Sequence, residues 1–313
     1  MAALAELINR ALRTTILGVA GNRQVTRLVG RYGMQLGAGR FVAGETLDEC
    51  IPVLRRLNDQ GLAANTSILG EAVRDAAQTR RVVEAYHEVL DRLSGESLRA
   101  NIALKLTHLG VELDEELAFA NVRELVEHAQ AVGNFIRIDM EDSAVTDVTL
   151  RIYRRLIESG LDSVGTVLQS YLRRSEDDLR RLLPLRPNLR IVKGAYLEPP
   201  EIAYSSKRDV DRLYARLVEL SLAGEGYTAV ATHDERLLEH GIDFAAQNGI
   251  GRDRFELQML YGIRPQLQLD YARRGFTVRV ATPYGSGWYP FFMRRLAERP
   301  ANLLFLARNL ARR

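Results

Sequence analysis

Asn101-Ile102-Ala103-Leu104-Lys105-Leu106, Asn134-Phe135-Ile136-Arg137-Ile138-Asp139 and Val164-Gly165-Thr166-Val167-Leu168-Gln169 are short, mostly apolar runs with polar groups near their ends. Between them lie Asp114–Ala131 and Asp147–Glu158, where apolar residues recur with the period of a helix. Strands buried on both faces read as near-continuous apolar runs, and strands that alternate with amphipathic helices form a parallel sheet. The rhythm extends in both directions. Upstream, a strand at Ala63–Ser67 precedes a helical stretch, Glu71–Leu93. Downstream, strands at Leu189–Lys193, Tyr227–Thr232, Phe255–Met259 and Thr277–Ala281 alternate with helices such as Lys207–Leu222 and Glu235–Gln247. Ser175 with Asp178 caps a further short helix, and Thr46 with Glu49 forms a capping box for a helix ending near Gly61.

Eight strands, each followed by a helix, predict an α/β fold, a closed (β/α)8 TIM-type barrel rather than an open doubly wound sheet. A dinucleotide-binding sheet needs a glycine-rich turn after its first strand. Gly37-Ala38-Gly39-Arg40 instead precedes that strand and lacks the third glycine. Residues 1–35 carry amphipathic helical patterns and no strand. The expected division is therefore a helical arm over 1–40 and a catalytic barrel with a C-terminal helix over 41–313.

The chain has 313 residues, 46% of them hydrophobic and 27% charged, enough for a large core without covalent staples. The single cysteine, Cys50, excludes an internal disulfide and points to a reducing, cytoplasmic setting. No apolar run reaches the ~18 residues of a membrane span, and no signal-peptide cleavage pattern opens the chain. Net charge is +3, with arginines gathered near both ends. That distribution reads as solvated helix faces, with peripheral contact at an anionic membrane face as the alternative. The basic residues form no aromatic-interleaved stripe, so no nucleic-acid partner is expected.

Barrel active sites are built where the strands end at their C-termini. The polar groups found there are Ser67, Lys105 and Thr107, Asp139 and Glu141, Gln169 and Tyr171, Lys193 and Tyr196, Thr232 and His233, and Gln258. Their number argues for a polar ligand of some size. Each also has a plain structural reading. Lys105 and Lys193 can belong to ion pairs, Asp139 and His233 can cap helices, and Arg294 and Arg295 can be ordinary surface charges. Against that last reading, adjacent arginines make a permanently charged clamp for a carboxylate, and Glu298 lies one turn away to orient them. His87, His128 and His240 fall within helices and read as surface residues. No His, Cys or Asp spacing resembles a metal site, and no Gly-x-Ser-x-Gly elbow exists.

The rim segments together resemble the monofunctional bacterial proline dehydrogenases. The similarity runs from about Arg40 to the C-terminus. Its carriers are Arg40-Phe41-Val42-Ala43-Gly44-Glu45, Leu104-Lys105-Leu106-Thr107, Ile138-Asp139-Met140-Glu141 and Leu168-Gln169-Ser170-Tyr171. The most specific is Leu189-Arg190-Ile191-Val192-Lys193-Gly194-Ala195-Tyr196. Ala231-Thr232-His233-Asp234, Phe255-Glu256-Leu257-Gln258-Met259-Leu260-Tyr261-Gly262 and Arg294-Arg295-Leu296-Ala297-Glu298 complete the set. The resemblance implies FAD-dependent oxidation of L-proline to Δ1-pyrroline-5-carboxylate, the first step of proline catabolism, by hydride transfer from substrate C5 to flavin N5. It implies Arg190, Lys105 and Asp139 as catalytic residues. Arg190, Gln169, Lys193, Gly194, Ala195, Thr232 and His233 would hold the cofactor. Arg294, Arg295, Lys105, Tyr196, Leu260, Ala281 and Glu298 would bind substrate or brace its pocket. A quinone-type electron acceptor and a separate pyrroline-5-carboxylate dehydrogenase downstream are further implied partners.

Two departures from the family pattern stand out. Ala281 takes the place of a usual tyrosine, which opens space for 4-hydroxyproline. Ser67 takes the place of a usual aspartate and removes a carboxylate. Three alternatives remain at this stage: a flavin-dependent dehydrogenase preferring hydroxyproline or another cyclic imino acid, a Schiff-base aldolase barrel using Lys105 or Lys193, and a non-catalytic barrel that binds an anion.

Overall fold

The computed structural model describes residues 38–70 and 73–298, without the side chains of 294–298. The arm expected over 1–40 falls outside these residues except for the 3-10 turn Ala38–Arg40. Eight parallel strands form a closed barrel in chain order. They are β1 Ala63–Ile68, β2 Ala100–Leu104, β3 Ile136–Ile138, β4 Val164–Gln169, β5 Asn188–Val192, β6 Tyr227–Ala231, β7 Phe255–Leu260 and β8 Val278–Tyr284. The helices are α1 Leu47–Asp59, α2 Ala76–Gly95, α3 Glu115–Ala131, α4 Ser143–Glu158, α5 Ser175–Leu182, α6 Lys207–Ala223, α7 Glu235–Gln247, α8 Pro265–Arg273 and α9 Trp288–Glu298.

The eight-strand expectation holds, and the shifts in the ends have local causes. The helix expected from Glu71 begins at Ala76, because Asp75 is extended (φ −155°) and its carboxylate accepts from Gln78 N at 2.7 Å. The helix expected from Asp147 begins four residues earlier, at Ser143, where Asp142 accepts from Ala144 N. Lys105 and Lys193 lie just past β2 and β5 rather than inside them. The capping box forms in a variant: Thr46 accepts from Glu49 N at 3.3 Å, while the Glu49 carboxylate accepts from Glu45 N at 2.7 Å.

The chain divides into two compact units. The larger, Leu54–Ser67 with Ala72–Ala281, holds nearly all of the barrel and α2–α8. Its apolar core includes Ile102, Leu104, Ile136, Ile138, Leu189, Ile191, Val230, Leu257 and Val280 on the strands, with Leu90, Val122, Ile152 and Leu217 on the helices, all buried. In the smaller unit, Ala43 N donates to Pro283 O and Gly285 N to Gly44 O, while Trp288 Nε1 reaches Glu45 at 2.8 Å. Among the described residues no helix is long and apolar enough to cross a membrane.

Candidate active site

The strand residues aligned with Arg190 are Val167, Ala229 and Glu256. Register pairs Val167 with Arg190, Arg190 with Ala229, and Ala229 with Glu256. It likewise pairs Asn65 with Asn101 and Gln258 with Arg279. Arg190, on β5, bonds to Asp139 just past β3 (2.8 Å) and to Asn65 on β1 (3.0 Å). Neither is on a neighbouring strand, so both bonds cross the barrel interior. Asn65 in turn donates to Asn101 at 2.6 Å. Lys105 Nζ lies 3.8 Å from the other Asp139 oxygen. The set Lys105–Asp139–Arg190–Asn65–Asn101 is a continuous polar chain with a net charge of one positive unit.

Burial pulls the Arg190 pKa below the ordinary arginine value, opposed chiefly by Asp139 and Glu256. Lower in the barrel, Arg137 donates to the Thr166 carbonyl (2.9 Å) and to the Asn188 carbonyl (2.7 Å). Burial, reinforced by Arg190, pushes its pKa down to about 9. Gly165 leaves the room for that guanidinium, since a Cβ there would stand 2.4 Å from Arg137 Nη1. The counter-charge is Glu256, which accepts from Arg279 Nε at 2.9 and 3.0 Å and from Gln258 at 2.5 Å.

At the strand ends, Gln169 donates to the Glu141 carbonyl at 2.7 Å, and the Glu141 carboxylate accepts from Thr107 N and Oγ1 at 3.1 and 2.7 Å. Burial raises the Glu141 pKa despite those two bonds. A folded value above the unfolded one means the stabilising contribution is complete below the unfolded pKa and is lost as pH rises through the folded one. Glu141→Gln should therefore gain in melting temperature relative to wild type as pH rises from 4 to 8. A gain that is flat across that range contradicts the assignment.

The other expected site residues are placed as follows. Lys193 lies 2.6 Å from Asp211 on α6 and 3.5 Å from Asp234, so its charge is paired away from the Arg190 chain. Thr232 Oγ1 accepts from Asp234 N at 3.1 Å, and His233 Nε2 accepts from Leu260 N at 2.9 Å. Gly194 holds φ +107°, and a Cβ there would meet the Tyr171 ring at 2.1 Å, so a side chain would displace the ring. Tyr196 packs against the cluster Tyr171, Leu172 and Ala203, with Ala195 just before it in the same loop. Ala281 and Leu260 are register partners on β8 and β7. Arg294, Arg295 and Glu298 belong to α9, and their side chains lie outside the described residues.

Asn65, Asn101, Glu256 and Arg279 were not among the residues expected at the site. A period-two count was the available signal: it puts Asn188 and Val192 on the face of Arg190, and Lys193 on the other. Both lysines are paired with carboxylates, Lys105 with Asp139 and Lys193 with Asp211.

A closed parallel barrel with a partly buried cation–carboxylate chain at the C-terminal ends of its strands has the architecture of a TIM-barrel enzyme. Residues 50–308 match the sequence model of the family described as proline dehydrogenase, and the chain belongs to that family. It is 39% identical over 302 residues to proline dehydrogenase 1 of Bacillus subtilis (strain 168), covering 96% of this chain and 100% of that protein. It is 42% identical over 308 residues to the proline dehydrogenase of Deinococcus radiodurans, covering 97% of this chain and 99% of that one. Among solved structures, proline utilization A from Bdellovibrio bacteriovorus superposes with a TM-score of 0.81 at 22% identity. That match covers 93% of this chain and 36% of the other, and it bears on the fold.

Proposed function

We propose that the chain oxidises L-proline to Δ1-pyrroline-5-carboxylate with FAD as its cofactor. The observation that carries this reading is the Lys105–Asp139–Arg190 set in the barrel of a proline dehydrogenase family member. Bound FAD would supply the hydride acceptor. The fit to such a group rests on Arg190: its Nε is buried and has no partner among the described residues, so a cationic donor is left for an acceptor-rich ring. Arg190, Gln169, Gly194, Ala195, Thr232 and His233 are the residues proposed to hold it. Lys193 is proposed to join them, since its ammonium has a third donor beyond those facing Asp211 and Asp234.

The remaining work falls to the chain's own side chains. Arg294, Arg295 and Lys105 bind the substrate carboxylate, a positioning task suited to planar and point cations together. Asp139 orients Arg190 and keeps the local charge from rising. Tyr196, Leu260, Ala281 and Glu298 shape the pocket and brace its clamp. Arg294→Met should raise KM for proline by about tenfold or more, the value of one charge-assisted bond, and an unchanged KM contradicts the clamp. The small Ala281 leaves room beside the ring. Ala281→Tyr should lower kcat/KM for 4-hydroxy-L-proline by about tenfold relative to proline; equal effects on both substrates contradict the role.

Steady-state assay of pyrroline formation with a quinone or dye acceptor tests the activity. Absence of product with FAD present contradicts it. The proposed setting is cytoplasmic, with quinone reached at the inner membrane face and the product passed to a separate pyrroline-5-carboxylate dehydrogenase. Failure to sediment with anionic liposomes removes the membrane part.

A further inference from the structure

His87 on α2 and His128 on α3 approach Nδ1 to Nδ1 at 2.6 Å, with ring centroids 4.8 Å apart. Each ring turns its other nitrogen to a carboxylate on the opposite helix. His87 Nε2 lies 2.8 Å from Glu124, and His128 Nε2 lies 2.9 Å from Asp91. Asp91 is one helical turn after His87, and Glu124 one turn before His128, so the four side chains form a square across the two helices. Arg80, which also pairs with Glu84, bonds to Glu124 at 2.8 Å and holds that carboxyl below its usual range, with His87 contributing.

This arrangement determines where the protons are. An ionised carboxylate only accepts, so each Nε2 carries its hydrogen. Both Nδ1 atoms are then left with lone pairs pointing at each other. Two lone pairs 2.6 Å apart repel unless one electrophile lies between them. A single shared proton meets that demand and gives the pair one positive charge. A metal ion meets it as well. Imidazoles whose remote N–H groups donate to carboxylates are the usual outer shell of a metal-binding histidine, because the carboxylate fixes the tautomer and raises ligand basicity.

We propose that His87 and His128 form a binding site for a divalent transition-metal ion, coordinated by their two Nδ1 atoms. At metal–nitrogen distances of about 2.0–2.1 Å and the near-90° cis angle of a tetragonal copper(II) site, the nitrogens would stand roughly 2.9 Å apart. Both rings are partly exposed, so a small side-chain rotation supplies the difference. No group of three or more His, Cys, Asp or Glu residues among those described converges to hold an ion, so water completes the coordination. The site is open and exchangeable, and it cross-links α2 to α3. Imidazole ligation favours copper(II) over the other common divalent ions. The exchange balances as one M2+ entering and the one shared proton leaving, with no change of oxidation state. The site shares no residue with the Arg190 chain.

The test is titration of the full-length protein with copper(II) alone near pH 7, in a non-chelating medium. One tight equivalent is expected, with the paramagnetic resonance signature of two nitrogen ligands and release of one proton per ion. His87→Asn and His128→Asn should each weaken binding at least tenfold, and Glu124→Gln about tenfold, with proline oxidation unchanged in all three. The proposal is overturned if wild type takes up no tight equivalent. It is also overturned if the His87→Asn/His128→Asn double variant binds as tightly as wild type. Should a variant fail to fold, the nitrogen count and the proton release of the wild-type complex decide alone.

Discussion

Arg190→Met is expected to lower the rate of proline oxidation by about 10²–10³-fold, the usual loss when one preorganised charged donor is removed from a reaction centre. The guanidinium touches both Asp139 and Asn65, and its buried Nε has no partner among the described residues. Without it Asp139 keeps, among the described residues, Lys105 at 3.8 Å, and the carboxylate loses its orienting bond. Stability should suffer less than activity, because Arg190 is also one of the charges that destabilise the Arg137 guanidinium. Arg190→Lys should not rescue: a point charge cannot span both partners as a planar fork does. Steady-state kinetics beside urea unfolding of both variants checks this. A lysine variant within twofold of wild type contradicts the account.

Glu256→Ala is expected to destabilise the protein by about 3–5 kcal/mol, the range for breaking a buried ion pair from one side. Glu256 is 3% exposed and faces Arg279, with Arg137 and Arg190 contributing charge nearby. Burial alone would raise its pKa, but Arg279's charge and bonds hold it below the ordinary value. A depressed folded pKa contributes stability above the unfolded value, lost as pH falls through the folded one. The difference between Glu256→Ala and wild type should therefore be largest at neutral pH and shrink in acid. Replacing the pair as Glu256→Met with Arg279→Leu should recover only part of the loss: Arg279 is no longer stranded, but Arg137 still lacks its counter-charge. Urea midpoints at pH 7 and pH 4 decide. A cost below about 1 kcal/mol means the interior is wet enough to solvate Arg279, and contradicts a dry charged core.

The barrel was legible because short apolar runs and 3.6-periodic stretches alternate eight times, and that pattern survives errors at the ends. The end errors came from helix caps. Asp75 and Asp142 start their helices through a side-chain bond, a choice that periodicity does not register. Arg190, Asp139 and Lys105 were legible as a group only through the family motifs that carry them, and the structure brings those three side chains together. Lys193, expected to hold the cofactor, lies beside Asp211 of α6, at odd spacing from Arg190. Asn65, Glu256 and Arg279 went unread because polar residues inside apolar strands look like interruptions until register aligns them across the barrel. The His87–His128 contact was beyond reach from spacing, since it depends on which faces α2 and α3 turn to each other.

The absorption spectrum of the purified protein between 300 and 550 nm, before and after anaerobic addition of L-proline, shows whether a bound flavin takes electrons from this substrate. A flavin spectrum, intrinsic or regained on adding FAD, is expected to bleach when proline is mixed in. A flavin that proline leaves oxidised would contradict the substrate, and a protein that takes up no FAD would contradict the cofactor and the role given to Arg190.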